Sequence, residues 1–342
     1  MTIWESLVAL LFRQIAIILF DMHLNIEFYS SRNRNEWNSF LVENGTFTFQ
    51  FYREFLDLFV QDECESSIIV KDSRGQIIAL MPISVCSLSK ELVSHSKSTY
   101  GGVIYKEDTK LQVKQQIYSS IIQALGIKFP SFSIEVRTPP TYLGVRDSLA
   151  DRWILWNLGF TPSQVVLHSV IDLGKEINLC SRRVKQSKFG DIKAVEVFSQ
   201  DELLALGGLV KQVLFSRHGV NPVHSPRDLL HVKMLFPDFI RVFVAKYLGV
   251  ETILGGLIFF NTENSFHLQY MAVSEEGRKQ SVGDLLILES IRTAVRENSN
   301  FFGFGHSNED EGRTLNTGLL SYKQKFGGYL SEAISWKYRL PG

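Results

Sequence analysis

The stretch that follows HLQYMAV has the residue types to bind a phosphate group. A polar loop there runs into an amphipathic helix that we expect from about residue 283 to 297. The junction consists of Arg278, Lys279, Gln280, Ser281, Val282 and Gly283. The first amides of a helix have no partner inside it and lie at the positive end of its dipole, so they attract an anion. A solvated basic loop is the alternative, because Asp284 in the first turn would compete with an anion.

A second group of polar residues follows the stretch FFGFG. Gly303 and Gly305 bracket the end of an expected strand, where the chain must turn, and His306 and Ser307 come directly after it. Further along, Lys323 could stabilise an oxyanion that develops during a reaction, or contact a phosphate. Alternatively, it is a surface lysine on a C-terminal helix.

The strand HLQYMAV could itself carry chemistry. Strict alternation would place His267, Gln269 and Met271 on one face and Leu268, Tyr270 and Ala272 on the other. His267 could act as a general base, since an amine nucleophile must lose a proton, and Tyr270 could act as an acid. Both residues could also simply pack, and Gln269 is a candidate for the lining of a site.

Two further stretches could bind a substrate. The adjacent glycines of STYGG let the backbone approach a ligand at Tyr100 and Gly101, or form a plain turn. The basic stretch SRRVKQSK begins with Arg182 and Arg183, where an anionic substrate could bind. Charge clusters are more often solvated faces.

The composition limits the classes of protein. The chain has 342 residues, which favours two domains or fused halves, and 36 Lys plus Arg balance 36 Asp plus Glu. This balance gives no strong global field to gather nucleic acid, although a local basic patch would still be compatible with it. Three cysteines without CxxC spacing indicate a reducing compartment and buried thiols. The sequence has no Walker loop, metal-ligand cluster or nucleophile-elbow motif.

The predicted elements repeat their order along the chain. Helices, a hairpin, a strand, a helix and a strand occur twice, without repeated residue identities. We therefore predict a structural duplication. The predicted division is an N-terminal extension over residues 1–24, a first half over 25–175, a basic connecting segment over 176–198 and a second half over 199–342.

The N-terminal extension contains the apolar stretch WESLVALLFRQIAIILF, which is interrupted by Glu5, Arg13 and Gln14. Its uninterrupted part is too short to span a bilayer, and no small-residue cleavage site follows. It could be an interfacial amphipathic helix, a core helix, or the result of an upstream start codon with the true start at Met22. The third interpretation is favoured because MHLNIEFYSS already reads like a first strand.

Dispersed motifs resemble those of a known family. They are EWNSFLVENGTFTFQFYREFL, ALMPISV and STYGG in the first half, DRWILWNLGF and SRRVKQSKFG in the middle, and HLQYMAVSEEGR and FGHSNEDEGRTLNTGLLSYKQKFGG in the second half. Their order over about residues 25–330 resembles the FemAB-like branch of GNAT acyltransferases. The resemblance implies an α+β protein of two fused GNAT-like halves. Each half would have a mixed, mostly antiparallel sheet with flanking helices.

The resemblance also assigns roles to residues. GNAT enzymes wrap the pyrophosphate of coenzyme A in a pattern similar to Q/R-x-x-G-x-G/A, and residues 278–283 read R-x-x-S-x-G. It implies an acyl-coenzyme A site in the second half, although Ser281 in place of the first glycine puts close backbone approach in doubt. Tyr322-Lys323 and Phe326-Gly327 match the family's signature, which favours a catalytic role for Lys323.

The remaining candidates fall around this implied site. The strand HLQYMAV would line the donor channel, and His306 and Ser307 would lie where the cleft opens. Tyr100 and Gly101 would face an acceptor cleft between the halves.

Transfer of an acyl group, from acyl-CoA such as acetyl-CoA, is the expected activity, with no metal. The acceptor would be an amine, or a hydroxyl, of a small-molecule or lipid-linked sugar in cell-envelope polysaccharide synthesis. A first rival is a transferase that takes an aminoacyl group from charged tRNA to a peptidoglycan precursor. It is less favoured because no inserted coiled-coil arm for tRNA is visible. A second rival is a non-catalytic binding protein that keeps the fold. The expected location is cytoplasmic, with membrane association open and no transmembrane span.

Overall fold

A computed structural model describes residues 23–45, 48–59, 64–143, 148–175 and 190–342. The predictions for most of the N-terminal extension, and for the basic stretch with Arg182 and Arg183, lie outside the described residues.

Helices flank the sheets on both sides. The described α-helices are α1 Arg34–Asn44, α2 Arg53–Leu56, α3 Leu111–Lys128, α4 Ser148–Asn157, α5 Gln200–His218, α6 Pro226–Leu235, α7 Glu275–Lys279, α8 Val282–Arg296 and α9 Thr317–Gln324. In the described ranges, no helix is both long and apolar enough to cross a membrane.

The strands are numbered in chain order. They are β1 Asn25–Phe28, β2 Cys64–Glu65, β3 Ile68–Lys71, β4 Ile77–Met81, β5 Ser84–Cys86, β6 Glu91–Val93, β7 Ile104–Tyr105, β8 Ser133–Thr138, β9 Thr161–Asp172, β10 Ile192–Glu196, β11 Ile240–Tyr247, β12 Gly255–Phe260, β13 Ser265–Val273, β14 Phe301–His306, β15 Asn308–Glu309, β16 Thr314–Leu315 and β17 Tyr329–Arg339.

One large sheet runs through both halves of the molecule. Within the described residues it has 11 strands in the order β10-β11-β12-β13-β14-β9-β17-β8-β6-β5-β2. A second sheet has the order β1-β3-β4-β7. Strands β13 and β14 pair in parallel, as do β6 and β8, while their other neighbours are antiparallel. The C-terminal strand β17 lies between β8 and β9, so the end of the chain pairs with strands of the predicted first half.

The C-terminal part of the sheet is covered on both faces. Every residue of β12 is buried. Leu257 and Phe259 pack with the apolar face of α8, which includes Leu286 and Ile291. The other face of β12 packs against α5 and α6. This two-sided burial holds β12 and β13 rigidly beside the start of α8.

Strand β13 is irregular in its middle. Its pairing with β12 shifts register between Ile258 and Phe259, which is a β-bulge. Leu268 therefore packs in the same cluster as Met271, although strict alternation would separate them. The predicted alternation along HLQYMAV is thus wrong beyond this point, because the bulge adds one residue to the strand. The prediction of buried thiols is also wrong for Cys86, which is exposed.

Candidate active site

A large cavity opens where β13 and β14 part. The two strands pair only from Ser265 to His267 and from Phe301 to Gly303, and then diverge. The opening has a volume of about 640 Å³. Its walls come from both strands, from the start of α8 and from α9, and Arg217 on α5 reaches it from the opposite side.

The predicted phosphate loop forms one wall of the large cavity. Arg278, Ser281 and Gly283 line the cavity, whereas Val282 buries its side chain in the core. Lys279 and Gln280 are exposed and do not line it. Arg278 is held in place because its Nη1 donates to the carbonyl oxygen of Val273 at 3.2 Å.

Ser281 adopts the conformation that a glycine would take. Its φ of 55° and ψ of 32° are left-handed, and it immediately precedes α8. A side chain in this region costs roughly 1 kcal/mol relative to glycine. The backbone at Ser281 is therefore in a conformation that glycine adopts at a lower cost than serine does.

Gly283 is needed for close packing at the start of α8. A Cβ atom there would lie 2.8 Å from Cε of Met271 and 3.2 Å from the hydroxyl of Tyr322. The missing side chain lets the helix start lie directly against the large cavity. A helix N-terminus, a glycine at close range and the arginines Arg278 and Arg217 could hold a pyrophosphate there, while the carboxylate of Asp284, which also lines the large cavity, would oppose it.

Lys323 lies on α9 with its amine buried between two backbone carbonyls. Its Nζ donates to the carbonyl oxygen of Gly305 at 3.0 Å and to that of His306 at 2.5 Å. The side chain is 6% exposed, and burial lowers the pKa of Lys323 to about 7. Near neutral pH the group is therefore a mixture of ammonium and free amine in the wall of the large cavity.

A small cavity of about 260 Å³ adjoins the large one. Its floor is one face of β8, β17 and β9, with His168 and His306 at one end. Gln269, at the bulge of β13, lines both cavities. Gln269 is therefore a wall residue that the two cavities share.

His306 is placed to accept a proton at the end of the small cavity. Its Nδ1 lies 3.2 Å from the carbonyl oxygen of Asn308, so Nδ1 carries the hydrogen in the neutral ring and Nε2 keeps its lone pair. Partial burial, together with the nearby Lys323, lowers the pKa of His306. The ring of His168 lies 5.9 Å from that of His306, edge to face.

His267 lies behind the site and lines neither cavity. It is buried, its Nδ1 lies 2.6 Å from the hydroxyl of Tyr142, and desolvation lowers the pKa of His267 to about 4. These contacts give it a packing position.

Tyr270 is engaged on the opposite face of β13. The Nε2–H of His224 donates to the carbonyl oxygen of Lys97 at 3.2 Å. The Nδ1 of His224 therefore has no hydrogen and accepts from the hydroxyl of Tyr270 at 2.8 Å. Tyr270 therefore braces His224 and does not line either cavity.

The other residues that were predicted to bind substrate lie in the protein interior. The hydroxyl of Tyr100 donates to Oε1 of Gln50 at 2.8 Å, and a Cβ on Gly101 would lie 2.3 Å from the carbonyl oxygen of Ser94. Ser307 is buried, and none of the three predicted residues lines a cavity described above.

Some lining residues were not predicted. Arg217, Arg137 and His168 also line the cavity walls. Other polar residues accompany each of them on its helix or strand, so only the three-dimensional pairing distinguishes it. Among the residues that the structure describes, no group of three or more His, Cys, Asp or Glu could hold a metal ion.

Comparisons with known proteins define the class. Residues 181–323 match the family model described as an acetyltransferase (GNAT) domain. The sequence matches none of the curated proteins. The chain has the GNAT fold, and residues 181–323 are similar to a GNAT acetyltransferase domain. The expected α+β fold with a mixed sheet and flanking helices is confirmed, and these likenesses agree with the expected resemblance.

Solved structures extend the likeness to nearly the whole chain. The crystal structure of FemX is 11% identical with a TM-score of 0.63, covering 92% of this chain and 97% of FemX. A tandem GNAT protein from the clavulanic acid biosynthesis pathway is 9% identical with a TM-score of 0.55, covering 94% and 99%. L-PGS from Bacillus licheniformis is 15% identical with a TM-score of 0.58, covering 89% and 91%. The fold is that of the FemAB-like GNAT proteins.

Proposed function

We propose that this protein transfers an acyl group from acyl-CoA, such as acetyl-CoA, to an amine or hydroxyl of a sugar intermediate in cell-envelope polysaccharide synthesis. The observation that carries the proposal is the position of Gln269 in the walls of both cavities. A donor in the large cavity and an acceptor in the small cavity would have their reacting groups side by side there. Residues 199–342 would carry the donor site, and the reaction would take place in the cytoplasm, where acyl-CoA is available.

The large cavity supports acyl-CoA as the donor. Its volume lies within the range of about 300–1,000 Å³ that is usual for small-molecule sites. The start of α8 and the arginines Arg278 and Arg217 would hold the pyrophosphate. The donor chain would then run between β13 and β14, where Leu268, Met271 and Phe304 provide apolar contacts.

The wall residues can supply the proton transfers. The acceptor nitrogen attacks the thioester carbonyl, the carbon–sulfur bond breaks, and the thiolate leaves. His306 would take the proton from the acceptor amine through Nε2. The ammonium form of Lys323 would stabilise the oxyanion and neutralise the departing thiolate.

A second candidate is a transferase that takes an aminoacyl group from charged tRNA to a peptidoglycan precursor. The fold supports this second candidate as well as it supports the first, because the likeness to FemX extends over almost the full chain. The basic wall at Arg278 and the left-handed turn at Ser281 favour acyl-CoA. A cavity with a basic rim and a buried lysine also counts against a non-catalytic binding protein.

Calorimetric titration with acetyl-CoA tests the donor class. We expect saturable binding to the unmodified protein and a loss of roughly tenfold or more in affinity for Arg278→Ala, the scale of a charge-assisted hydrogen bond to phosphate. Arg292→Ala is the matched control, because Arg292 lies exposed on the same helix α8 and pairs with Glu289 at 3.3 Å. Absence of binding to the unmodified protein would refute acyl-CoA as the donor, and charged tRNA would be tested next.

A further inference from the structure

The small cavity has two chemically different ends. One end has His168, His306 and Gln269, where acyl transfer is proposed. Arg137 on β8 lies at the other end, against the carbonyl oxygen of Ser98. Arg137 pairs with Glu135, which does not line the cavity. Among the described residues that line this cavity, none carries a carboxylate, so its wall presents the guanidinium of Arg137 to a ligand and no acidic group.

The sheet register gives the separation of the two ends. Arg137 pairs with Ser335 on β17, while His168 on β9 pairs with Ser331, four residues from Ser335. His306 pairs with His168 on the next strand, β14. With a rise of about 3.3 Å per residue and about 4.8 Å between strands, the Cα atoms of Arg137 and His306 lie roughly 20 Å apart in a flat sheet. Even if both side chains lean inward, their ends stay roughly 10 Å apart.

Arg137 is held in place at its end of the cavity. Its Nε donates to Oε1 of Glu135 at 2.7 Å and its Nη1 donates to the carbonyl oxygen of Ser98 at 3.4 Å. Its side chain remains 30% exposed. A guanidinium has five N–H donors, so these two bonds fix its orientation and leave further donors for a ligand.

We propose that the acceptor is an elongated molecule with an anionic group roughly 10 Å or more from its reactive amine, and that Arg137 binds that anion. This inference rests on the proposed function and narrows its substrate class. It places the anion site on the cavity floor, and it excludes free α-amino acids, whose carboxylate lies too close to the amine. Arg137 thus determines specificity at a distance from the reacting atoms.

A set of amines with a terminal anion at increasing distance measures this separation. Binding of glycine, aminohexanoate and aminooctanoate would be measured by calorimetry, next to aminooctyl phosphate and the neutral amide of aminooctanoate. We expect the two long anionic probes to bind, and the short acid and the amide to bind at least about tenfold more weakly, the scale of a charge-assisted contact. Tighter binding of the phosphate probe than of the carboxylate probe would identify a phosphorylated acceptor, and the reverse a carboxylate.

The variants are Arg137→Gln, which removes the charge, and Arg137→Lys, which keeps the charge but lacks the planar set of donors of the guanidinium. Arg137→Gln should abolish the preference for the long anionic probes, and Arg137→Lys should keep part of it. Acetyl-CoA affinity should be unchanged in both, which also shows that they fold. Equal binding of aminooctanoate and its amide, no binding of any long anion, or a preference that survives in Arg137→Gln would each overturn the inference. Failure of the proposed function would appear separately, as loss of acetyl-CoA binding in the unmodified protein.

Discussion

Replacing Lys323 by methionine should abolish acyl transfer and at the same time remove a rise in the stability of the protein between about pH 7 and 10.5. The amine is buried, and its hydrogen-bond acceptors Gly305 and His306 offer backbone carbonyls in place of a carboxylate. Methionine has a similar length, is apolar and can fill the same space.

The pKa gives the size of the effect. Burial lowers the pKa of Lys323 from 10.5 to about 7. At 1.36 kcal/mol per unit, folding loses about 4 kcal/mol near pH 7 relative to a site that does not titrate. Removing the amine leaves two buried carbonyls without their donor, which costs about 1–3 kcal/mol for each of them. The two contributions are of the same order, so the change in the free energy of unfolding at pH 7 is small, and the test is its dependence on pH.

The pH dependence of unfolding separates this effect from general repacking. Below about pH 7 the lysine is protonated in both states, so it gives no slope. Between about 7 and 10.5 the unfolded chain binds more protons than the folded chain, so the stability of the unmodified protein should rise with pH. Denaturant unfolding of both proteins across this range is the assay, with Lys325→Met as an exposed control on the same segment. If the free energies of unfolding of Lys323→Met and of the unmodified protein changed with pH in parallel, the conclusion that Lys323 is buried and has a lowered pKa would be refuted.

Two further changes test the phosphate loop and the base. Ser281→Gly should raise the free energy of unfolding by about 0.5–1 kcal/mol in denaturant titrations, because glycine removes the left-handed strain at a smaller entropic cost, and a loss of stability would contradict this. His306→Gln should remove the acidic limb of the pH profile of kcat/KM, whose midpoint should lie below 6.5 because the pKa of His306 is lowered. His267→Gln should retain that limb and lose stability, since His267 is buried against Tyr142.

The spacing of apolar residues along the sequence was sufficient to predict the helices that bury one continuous face. The helix expected from about residue 283 to 297 is α8, Val282–Arg296. The spacing of apolar residues also predicts a helix from about Leu111 to Leu125, and α3 begins at Leu111 and extends to Lys128. In both, apolar residues recur at helical spacing because one face packs on the sheet. The loop before α8 was predictable for the same reason: its position follows from the start of the helix.

Long-range pairing explains what the sequence did not reveal. Strands β9 and β17 were not predicted, and β17 pairs with β8, nearly 200 residues earlier in the chain. Their residues alternate hydroxyl, amide and apolar side chains, because one face forms the floor of a cavity and the other packs in the core. His168 and Arg137 become candidates only when these strands lie side by side. No local pattern marks a single histidine or arginine in such strands as functional.

The first half of the chain takes part in forming the site. Gly303, where β14 begins to diverge from β13, has no side chain, and a Cβ there would lie 2.5 Å from the ring of Tyr142. Tyr142 comes from the segment after β8, its carbonyl oxygen accepts from the hydroxyl of Ser265, and its own hydroxyl contacts His267. The ring therefore packs against both strands at the point where they part. Because Tyr142 is buried and bonded on each side, it supports the two strands at the mouth of the large cavity, beside the bulge in β13.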